Sequence, residues 1–282
     1  MRLLFVSEDV TLAQVVRLVV LARTLDPQRH EIHFACRQFS ELVFRPGEFI
    51  RHTIGTITRA QLEQALARGH RLYDRDTLRG YVAEEIALIE AIEPDLIIGD
   101  FRLSLTVSAP ACQVPLAALI NAYWSPRAEL RRFPLPDHPI IGTLGEAVAG
   151  LFFPLARPWV FAHFARPINQ LRKEHGLAAI GSLREVLTHA DYTLYPDVPS
   201  LTPIRDLPES QIFLGPVQWA PPVSLPSWWD EWTGSAERPL VYVTMGSSGD
   251  VSALSAVMDG LATLPVAVVV ATAGRTAGLL DA

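Results

Sequence analysis

The sequence predicts an α/β protein with a mainly parallel sheet, followed by a second, incomplete α/β unit. Two observations support this prediction. Short apolar runs of strand length alternate with longer helix-like segments from the first residues onward, and the alternation restarts at Arg238–Gly249. There an apolar, β-branched run, Leu240–Thr244, stops at a Gly/Ser loop before the next helix-like segment. Strand, small-residue loop and helix start is the arrangement by which an α/β domain presents backbone N–H groups to a phosphate.

The same landmarks divide the chain into domains. We predict a first domain over residues 1–218, a linker over 219–237 and the start of a second domain over 238–282. The linker is rich in proline and tryptophan, which is typical of a semi-rigid connection.

The first domain opens with a strand, a helix and a strand, at Leu3–Val6, Thr11–Leu25 and Glu31–Cys36. The helix is apolar on nearly every face, as expected of a helix packed on a parallel sheet. The strand–helix–strand order makes the two strands parallel.

Further elements follow the same alternation. Strands are predicted at Asp95–Gly99, Pro115–Ile120, Tyr192–Tyr195 and Ile212–Val217. Helices are predicted at Arg59–Arg68, Leu78–Ile92, Leu103–Gln113 and Leu183–His189, with a loop over 127–145 and a helical but proline-interrupted stretch over 146–175. The second domain starts with one βαβ unit, at Leu240–Thr244, Ser252–Leu264 and Val266–Ala271.

The composition is that of an ordinary soluble protein: 282 residues, 49% hydrophobic and 19% charged, with a net charge of −6. A mild negative balance gives no reason to expect nucleic acid or an anionic membrane as a partner. The two cysteines, Cys36 and Cys112, sit in apolar surroundings. We interpret them as buried free thiols, which fits a reducing, cytoplasmic compartment. The N-terminal apolar run is too short for a signal peptide.

The most membrane-like window is Leu144–Phe164, but it contains Glu146, Arg157 and two prolines. A spanning helix needs about 20 residues with few or no charges. We therefore predict no integral membrane segment and interpret the window as a buried or cleft-lining helical region, with membrane contact as the alternative.

Candidate functional residues gather where the predicted strands end. In an open α/β sheet the ligand site lies beyond the carboxyl ends of the strands. This rule predicts that the candidate site includes the loop 7–14, Asp100, the loop 121–126 and the loop 245–249. Two such faces turned toward each other form a cleft between the domains.

Four segments, in this order, resemble nucleotide-sugar-dependent glycosyltransferases of the GT-B fold, in particular the bacterial macrolide-type and UDP-glycosyltransferase family. They are Ser7–Ala13, Gly99–Phe101, Asn121–Pro126 and Leu240–Gly249. The resemblance implies a Rossmann-type, acceptor-binding first domain and the start of a donor-binding second domain. It also implies transfer of a hexose, with inversion, from a nucleotide-diphosphate sugar to a hydroxyl of a small apolar acceptor. No metal or redox cofactor and no nucleic acid are implied.

The resemblance implies a general base, which in the family is a histidine at the start of the first helix, held by an aspartate after a later strand. Asp100 matches the aspartate, whereas the histidine position holds Gln14, whose amide is not a base at neutral pH. Gln14 either faces the acceptor cleft or completes a capping box with Thr11. Asp100 is either the catalytic aspartate or a cap for the helix that begins near Leu103.

The resemblance assigns the donor diphosphate to the loop after the late strand and the acceptor to the loop 121–126. The donor-binding residues are Gly246, Ser247 and Ser248, and the acceptor-binding residues are Asn121, Tyr123 and Trp124. A plain tight turn and core packing are the respective alternatives. Asp74-Arg75-Asp76 spells the Asp-x-Asp pattern of metal-dependent transferases of another fold, but it lies between helices, where a solvated surface is the default for charged clusters.

The sequence departs from the family after residue 237. No Gly- and His-rich loop of the kind that grips the nucleotide follows, and one βαβ unit is too little to bury its own sheet. We therefore expect a fragment of a longer enzyme or the product of a degraded gene, whose second unit exposes apolar surface and self-associates. The alternative function is a catalytically inactive accessory or binding protein that keeps the acceptor cleft, and a nucleotide-sugar epimerase on the same fold is a third.

Overall fold

The computed structural model describes residues 1–67, 70–130, 145–234, 238–246 and 252–272, together with residues 135, 141 and 143. The chain forms two compact units, Met1–Ala220 and Pro221–Ala282. The first contains a seven-stranded sheet and the second a pair of strands. Every neighbouring pair of strands is parallel, which confirms the predicted α/β class with a mainly parallel sheet.

The strand order of the large sheet places its functional edge. The strands are β1 Arg2–Ser7, β2 Glu31–Cys36, β3 Ile50–Thr53, β4 Leu96–Asp100, β5 Leu116–Leu119, β6 Tyr192–Tyr195 and β7 Gln211–Phe213. Their order across the sheet is β3-β2-β1-β4-β5-β6-β7. The order therefore reverses between β1 and β4, and a ligand of a doubly wound sheet binds beyond the carboxyl ends at such a switch point.

Helices cover both faces of this sheet. They are α1 Leu12–Arg23, α2 Arg59–Ala67, α3 Arg75–Ile92, α4 Leu105–Ala111, α5 Glu146–Glu174 and α6 Leu183–Leu187, with a 3₁₀ turn at Ala122–Trp124. On one face, Phe5 of β1 and Phe34 of β2 pack against Leu18 of α1. On the other, Leu4 of β1 packs in a cluster with Ile89 of α3. Alternate residues of β1 thus enter opposite cores, which explains why its sequence reads as a continuous apolar run.

Local sequence signals start several of these helices. Asp74 precedes α3 and accepts a hydrogen bond from the backbone N–H of Thr77 at 2.7 Å. Ser182 precedes α6, where it forms a capping box with Glu185. Asp74 therefore has a structural role as a helix cap, and the solvated-surface interpretation of the Asp-x-Asp pattern suits Asp76, which pairs with Arg79 at 2.6 Å.

Two elements of the first unit, β3 and α5, differ from the sequence-based expectations. β3 was not predicted, because this edge strand is short and mostly polar and exposed. α5 is one helix despite Pro154, Pro158 and Pro167. The carbonyls that these prolines deprive of a donor belong to Gly150, Pro154 and His163, which are all exposed, so water can satisfy them.

The window 144–164 was expected to be buried or to line a cleft; the first alternative is wrong, and the second stays a prediction. In the described part of the window Ala149 is buried, and most other side chains of α5 up to Trp159 are exposed. Cys112 is likewise half-buried, whereas Cys36 is buried as expected, and both thiols are free.

The second unit begins in the segment predicted as a linker. Its elements are α7 Trp229–Gly234, β8 Leu240–Thr244, α8 Ala253–Ala262 and β9 Ala267–Ala271. The short helix α7 was not predicted. β8 and β9 are parallel, with Leu240 opposite Ala267 and Thr244 opposite Ala271, as the βαβ pattern requires.

Candidate functional site

Two tight turns lie side by side at the switch point. Ser7-Glu8-Asp9 leaves β1, and Asp100-Phe101-Arg102 leaves β4. The backbone N–H of Glu8 donates to the carbonyl of Asp100 at 3.4 Å. Asp9 and Phe101 both have positive φ, 53° and 55°, which is uncommon for residues other than glycine. Positive φ at residues other than glycine also occurs away from this edge, at Glu93, Gln113 and Asp206, so the functional role of this edge stays a prediction.

Gln14 is held by the start of α1. Its Oε1 accepts hydrogen bonds from the backbone N–H groups of Thr11 at 3.0 Å and Val10 at 3.1 Å. These N–H groups lie where a helix start leaves donors without intrahelical partners. The capping interpretation of Gln14 therefore describes its contacts, and the amide fixes the loop between β1 and α1.

Asp100 is fully buried and binds Arg17. The guanidinium donates through Nε at 2.9 Å and through Nη2 at 2.7 Å, one bond to each carboxylate oxygen. Burial raises the pKa of Asp100 to about 7, although Arg17 lowers it. We expected Gln14 to be the neighbour of Asp100 on the first helix, but the side chain that binds Asp100 is one turn further along. The spacing of Gln14 and Arg17 could have indicated this, because residues i and i+3 share a helix face.

The same guanidinium reaches the predicted acceptor loop. Arg17 Nη1 donates to Oδ1 of Asn121 at 2.8 Å. Asp197, just after β6, accepts from the backbone N–H of Ala122 at 2.6 Å and lies 3.5 Å from Nδ2 of Asn121. Asn121 is therefore part of a polar chain that runs from β4 to β6, and sequence reasoning missed Asp197 because it follows a short strand with no recognisable motif.

Aromatic side chains continue from this loop. The ring centroids of Phe101 and Trp124 are 6.0 Å apart, and those of Trp124 and Phe161 are 6.4 Å apart. Trp124 is half-buried against the core, whereas Tyr123 is 43% exposed. Core packing therefore describes Trp124, whereas acceptor binding by the exposed Tyr123 stays a prediction.

A second buried ion pair ties β1 to β4. Arg102 donates through Nη1 to Glu8 at 3.1 Å and through Nε to Glu85 of α3 at 2.7 Å. Glu85 also accepts from the hydroxyls of Ser104 at 2.5 Å and Ser108 at 2.6 Å. Burial raises the pKa of Glu8 to about 7, against the attraction of Arg102. Glu8 lies in a segment that we singled out, but Glu85 was missed because a charge inside an apolar helix pattern normally predicts exposure, and Arg102 was missed because nothing in the sequence shows which carboxylates it meets.

The two ion pairs are reciprocal. A carboxylate after β1, Glu8, binds a guanidinium after β4, and the last carboxylate of β4, Asp100, binds a guanidinium on the helix that follows β1. Tyr81 adds to the first pair, since its hydroxyl donates to Glu8 at 3.2 Å and its ring lies 3.8 Å from the guanidinium carbon of Arg102. Each turn at the switch point is therefore fixed to the other by a buried, charge-assisted contact.

Asp9 is the carboxylate of these turns that is only half-buried. One of its oxygens accepts from the backbone N–H of Gln38 at 3.0 Å. Burial raises the pKa of Asp9 above its ordinary value, while the contacts with Gln38 and Arg37 lower it. Asp9 is therefore partly accessible and has a raised pKa. Glu8 and Asp100 also have raised pKa values, but both are fully buried.

The donor-side prediction is only partly within the described residues. Gly246 follows β8 with φ of 60°, and its backbone N–H donates to Oγ1 of Thr244 at 3.1 Å. Ser247 and Ser248 lie outside the described residues. A positive φ directly after a parallel strand is a turn that glycine favours.

Two further observations concern other possible sites. Within the described ranges, no group of three or more His, Cys, Asp or Glu side chains is placed to hold a metal ion. A cavity of about 470 Å³ lies beside the residues that precede β5 and β6, including Gln113, Pro115, His189 and Asp191. It is therefore at the amino ends of those strands, away from the switch-point turns.

Comparison with known proteins gives clear relatives, although no family model matches the chain. It is 46% identical over 275 residues to a PGL/p-HBAD biosynthesis glycosyltransferase of Mycobacterium tuberculosis, covering 97% of this chain and 64% of that protein. It is 45% identical over 276 residues to a PGL/p-HBAD biosynthesis rhamnosyltransferase of Mycobacterium bovis, covering 98% and 61%. A third relative, named an inactive PGL/p-HBAD biosynthesis glycosyltransferase of Mycobacterium bovis, is 44% identical over 261 residues, covering 92% and 70%.

The chain thus spans less than two thirds of the length of the first two relatives. Among solved structures it resembles the spinosyn forosaminyltransferase SpnP, with a TM-score of 0.60 and 20% identity over 100% of this chain and 69% of that one. It also resembles the glycosyltransferase VinC in complex with dTDP, with a TM-score of 0.56 and 17% identity over 100% and 69%. At these identities the likeness shows the fold, and the predicted GT-B resemblance is confirmed.

Proposed function

Because this chain belongs to the PGL/p-HBAD biosynthesis glycosyltransferase family, we propose that it carries the acceptor-binding half of an inverting glycosyltransferase. The reaction moves a hexose or deoxyhexose from a nucleotide-diphosphate sugar to a hydroxyl of a small apolar acceptor. The observation that supports this most is the pair of reciprocal ion pairs at the switch point, where a ligand of such a sheet binds, next to a partly accessible carboxylate, Asp9. The proposed partners are the acceptor and the nucleotide sugar, without a metal or redox cofactor, in the cytoplasm.

The chemistry requires a proton acceptor, since a hydroxyl is a poor nucleophile at neutral pH. The amide of Gln14 cannot take a proton, and both oxygens of Asp100 are bound by Arg17 inside the protein. Asp9 lies in the neighbouring turn, which leaves β1, and is half-buried. We assign the general base to Asp9, while Gln14 and Asp100 act as positioning residues for its loop.

Substrate binding follows the strand ends. Tyr123 offers an exposed aromatic face beside the polar chain through Asn121, and Trp124 supports it from behind, which suits an apolar acceptor with one hydroxyl. Gly246, with Ser247 and Ser248, contacts the diphosphate of the donor, since backbone N–H groups after a parallel strand are a common anion site.

A catalytically inactive acceptor-binding protein is the second candidate. Two observations favour it: position 14 holds an amide in place of a base, and one relative carries a name that calls it inactive. This candidate retains the acceptor surface but predicts no transfer.

The test measures transfer by the full-length protein. UDP-glucose and dTDP-rhamnose are offered with a panel of hydroxyl-bearing apolar acceptors, and product and released nucleoside diphosphate are quantified. We expect transfer, and we expect Asp9→Asn to lower kcat by about 10²- to 10⁴-fold. The matched control is Asp76→Asn, at a carboxylate that is 87% exposed, which leaves kcat unchanged. Acceptor binding without transfer favours the inactive protein, and absence of both donor and acceptor binding refutes the proposal.

A further inference from the structure

The first two thirds of α5 carry an apolar stripe that faces solvent. Val148, Leu151, Phe152, Leu155 and Trp159 recur at helical spacing and are all exposed, with Leu155 at 74% and Trp159 at 78%. Monomeric soluble proteins rarely expose such a contiguous apolar surface, and where they do it marks a binding site.

The last third of the same helix is anchored in the core. Ala165, Ile168 and Leu171 are buried in the cluster that includes α3 and α4 residues. By length and composition Ala147–Glu174 could cross a membrane, but this anchoring and the three internal prolines oppose it. The stripe from Val148 to Trp159 is also only about 16 Å long at 1.5 Å per residue, roughly half the hydrocarbon thickness of a bilayer.

The charges of α5 differ from those of the whole chain. Residues 147–173 contain no Asp or Glu but include Arg157, Arg166, Arg172 and Lys173, in a chain with a net charge of −6. Glu174, which follows, is paired with Arg75 and Arg79. α5 therefore carries a net positive charge, although the chain as a whole is negatively charged.

Two of these cations extend the apolar stripe. Arg166 lies 18 residues after Val148, which is five turns of an α-helix, so the two share one face. Lys173 lies seven residues further, again near that face, and both side chains are exposed. Helices that bind an anionic bilayer combine an apolar face that carries tryptophan with arginine and lysine that reach the headgroups, and α5 provides both kinds of residue along one face.

The helix that carries the stripe also contacts the candidate acceptor site. Phe161, two residues beyond Trp159, packs with Trp124 at 6.4 Å between ring centroids, and Trp124 packs with Phe101 of the β4 turn at 6.0 Å. Residues two positions apart do not share a helix face, so α5 contacts the site with one side and exposes the stripe on the other.

We propose that α5 docks this protein peripherally on an anionic lipid bilayer, with the stripe inserted among the acyl chains and Arg166 and Lys173 at the headgroups. The surface and its test are independent of the transfer reaction proposed above.

The experiment is flotation of the full-length protein with vesicles of phosphatidylcholine alone and with 30% phosphatidylglycerol. We expect binding to the anionic vesicles that weakens with added salt, because salt screens exposed charges. Arg166→Gln should weaken binding about fivefold, as one lost cation does at such a surface. Arg205→Gln, at an exposed arginine elsewhere, is the matched control.

Two apolar variants make the test specific. Leu151→Ser with Leu155→Ser should reduce binding more than tenfold, whereas Leu201→Ser, at a side chain that is 80% exposed, should not. Trp159→Phe should keep binding but lose part of the fluorescence quenching by brominated lipids. The proposal is overturned if the wild type ignores anionic vesicles at low salt or binds both vesicle types equally. It is also overturned if the stripe variants bind as the wild type does, or if they only convert a dimer to a monomer.

Discussion

Replacement of Asp100 by asparagine should make the stability of this protein less dependent on pH. The carboxyl group is fully buried, and burial raises its pKa from the ordinary value of 3.8 to about 7. A folded protein with such a group binds a proton more tightly than the unfolded chain does. Its contribution to stability is therefore present at low pH and is lost as the pH rises through about 7.

The size of this loss follows from the two pKa values. Between pH 5 and pH 8 the unfolded carboxyl is already ionised, while the folded one ionises at a cost. With pKa values of 3.8 and about 7, the wild type should lose about 3 kcal/mol of unfolding free energy over this interval through Asp100. Asparagine has the same shape and no ionisation, so the variant should lack this component. Glu8 adds a parallel loss, but it is present in both proteins and cancels in the comparison.

The assay is urea unfolding, followed by circular dichroism, at several pH values from 5 to 8. The quantity of interest is the difference in unfolding free energy between wild type and Asp100→Asn at each pH. Asp76→Asn, at an exposed carboxylate, should give a difference that does not vary. If the Asp100→Asn difference is constant, or if the wild type gains stability relative to Asp100→Asn as the pH rises, the bidentate pairing with Arg17 outweighs burial and the reasoning is refuted.

Three further predictions concern the same edge of the sheet. Arg17→Met leaves the carboxylate of Asp100 buried without its partner, and it should lower the free energy of unfolding by about 3–5 kcal/mol at pH 8. The loss should be smaller at pH 5, and equal losses at the two pH values in urea unfolding would contradict this. Gln14→Ala removes the acceptor for two loop N–H groups and should lower the free energy of unfolding by about 1 kcal/mol. Gln14→Glu keeps the acceptor, so thermal melting should give it a higher melting temperature than Gln14→Ala. Tyr81→Phe removes the hydroxyl that contacts Glu8 and the N–H of Ile57, and it should lower the free energy of unfolding by about 1–3 kcal/mol. Chemical unfolding measures this loss, and an unchanged free energy would show that water replaces the hydroxyl.

The sequence predicts the buried elements of this fold well and the exposed ones poorly. β2 has the predicted bounds, Glu31–Cys36, because a fully buried parallel strand must be apolar at consecutive positions. β3 was missed because an edge strand needs only backbone partners, and its four residues Ile50–Thr53 carry no such pattern. We expected the prolines to interrupt α5, because a proline inside a helix leaves one carbonyl without its N–H donor. The sequence does not show that these carbonyls are exposed to water.

The candidate site shows a similar division. Position and residue type identified Asp100 and Asn121, because the rule about strand ends depends on topology alone. Their partners Arg17 and Asp197 could not be predicted, since each contact joins residues far apart in the chain, 83 residues for Arg17 with Asp100. Arg102 was hidden for another reason: a guanidinium is buried only when carboxylates compensate it, and the sequence does not reveal that Glu8 and Glu85 converge on it.

The amide at position 14 does not by itself decide between an active and an inactive protein. A base at the start of α1 needs a carboxylate neighbour to hold it, and here that carboxylate is occupied by Arg17, so the structure has no place for a Gln14–Asp100 pair. The same two ion pairs that exclude such a pair fix both turns around Asp9, whose backbone is strained at φ of 53°. Each pair also stabilises the fold, since removing one partner of a buried pair is strongly destabilising, so both proposed functions are compatible with the two pairs. Transfer by the wild type therefore separates the two proposed functions, and the comparison of Asp9→Asn with the wild type then tests whether Asp9 is the base.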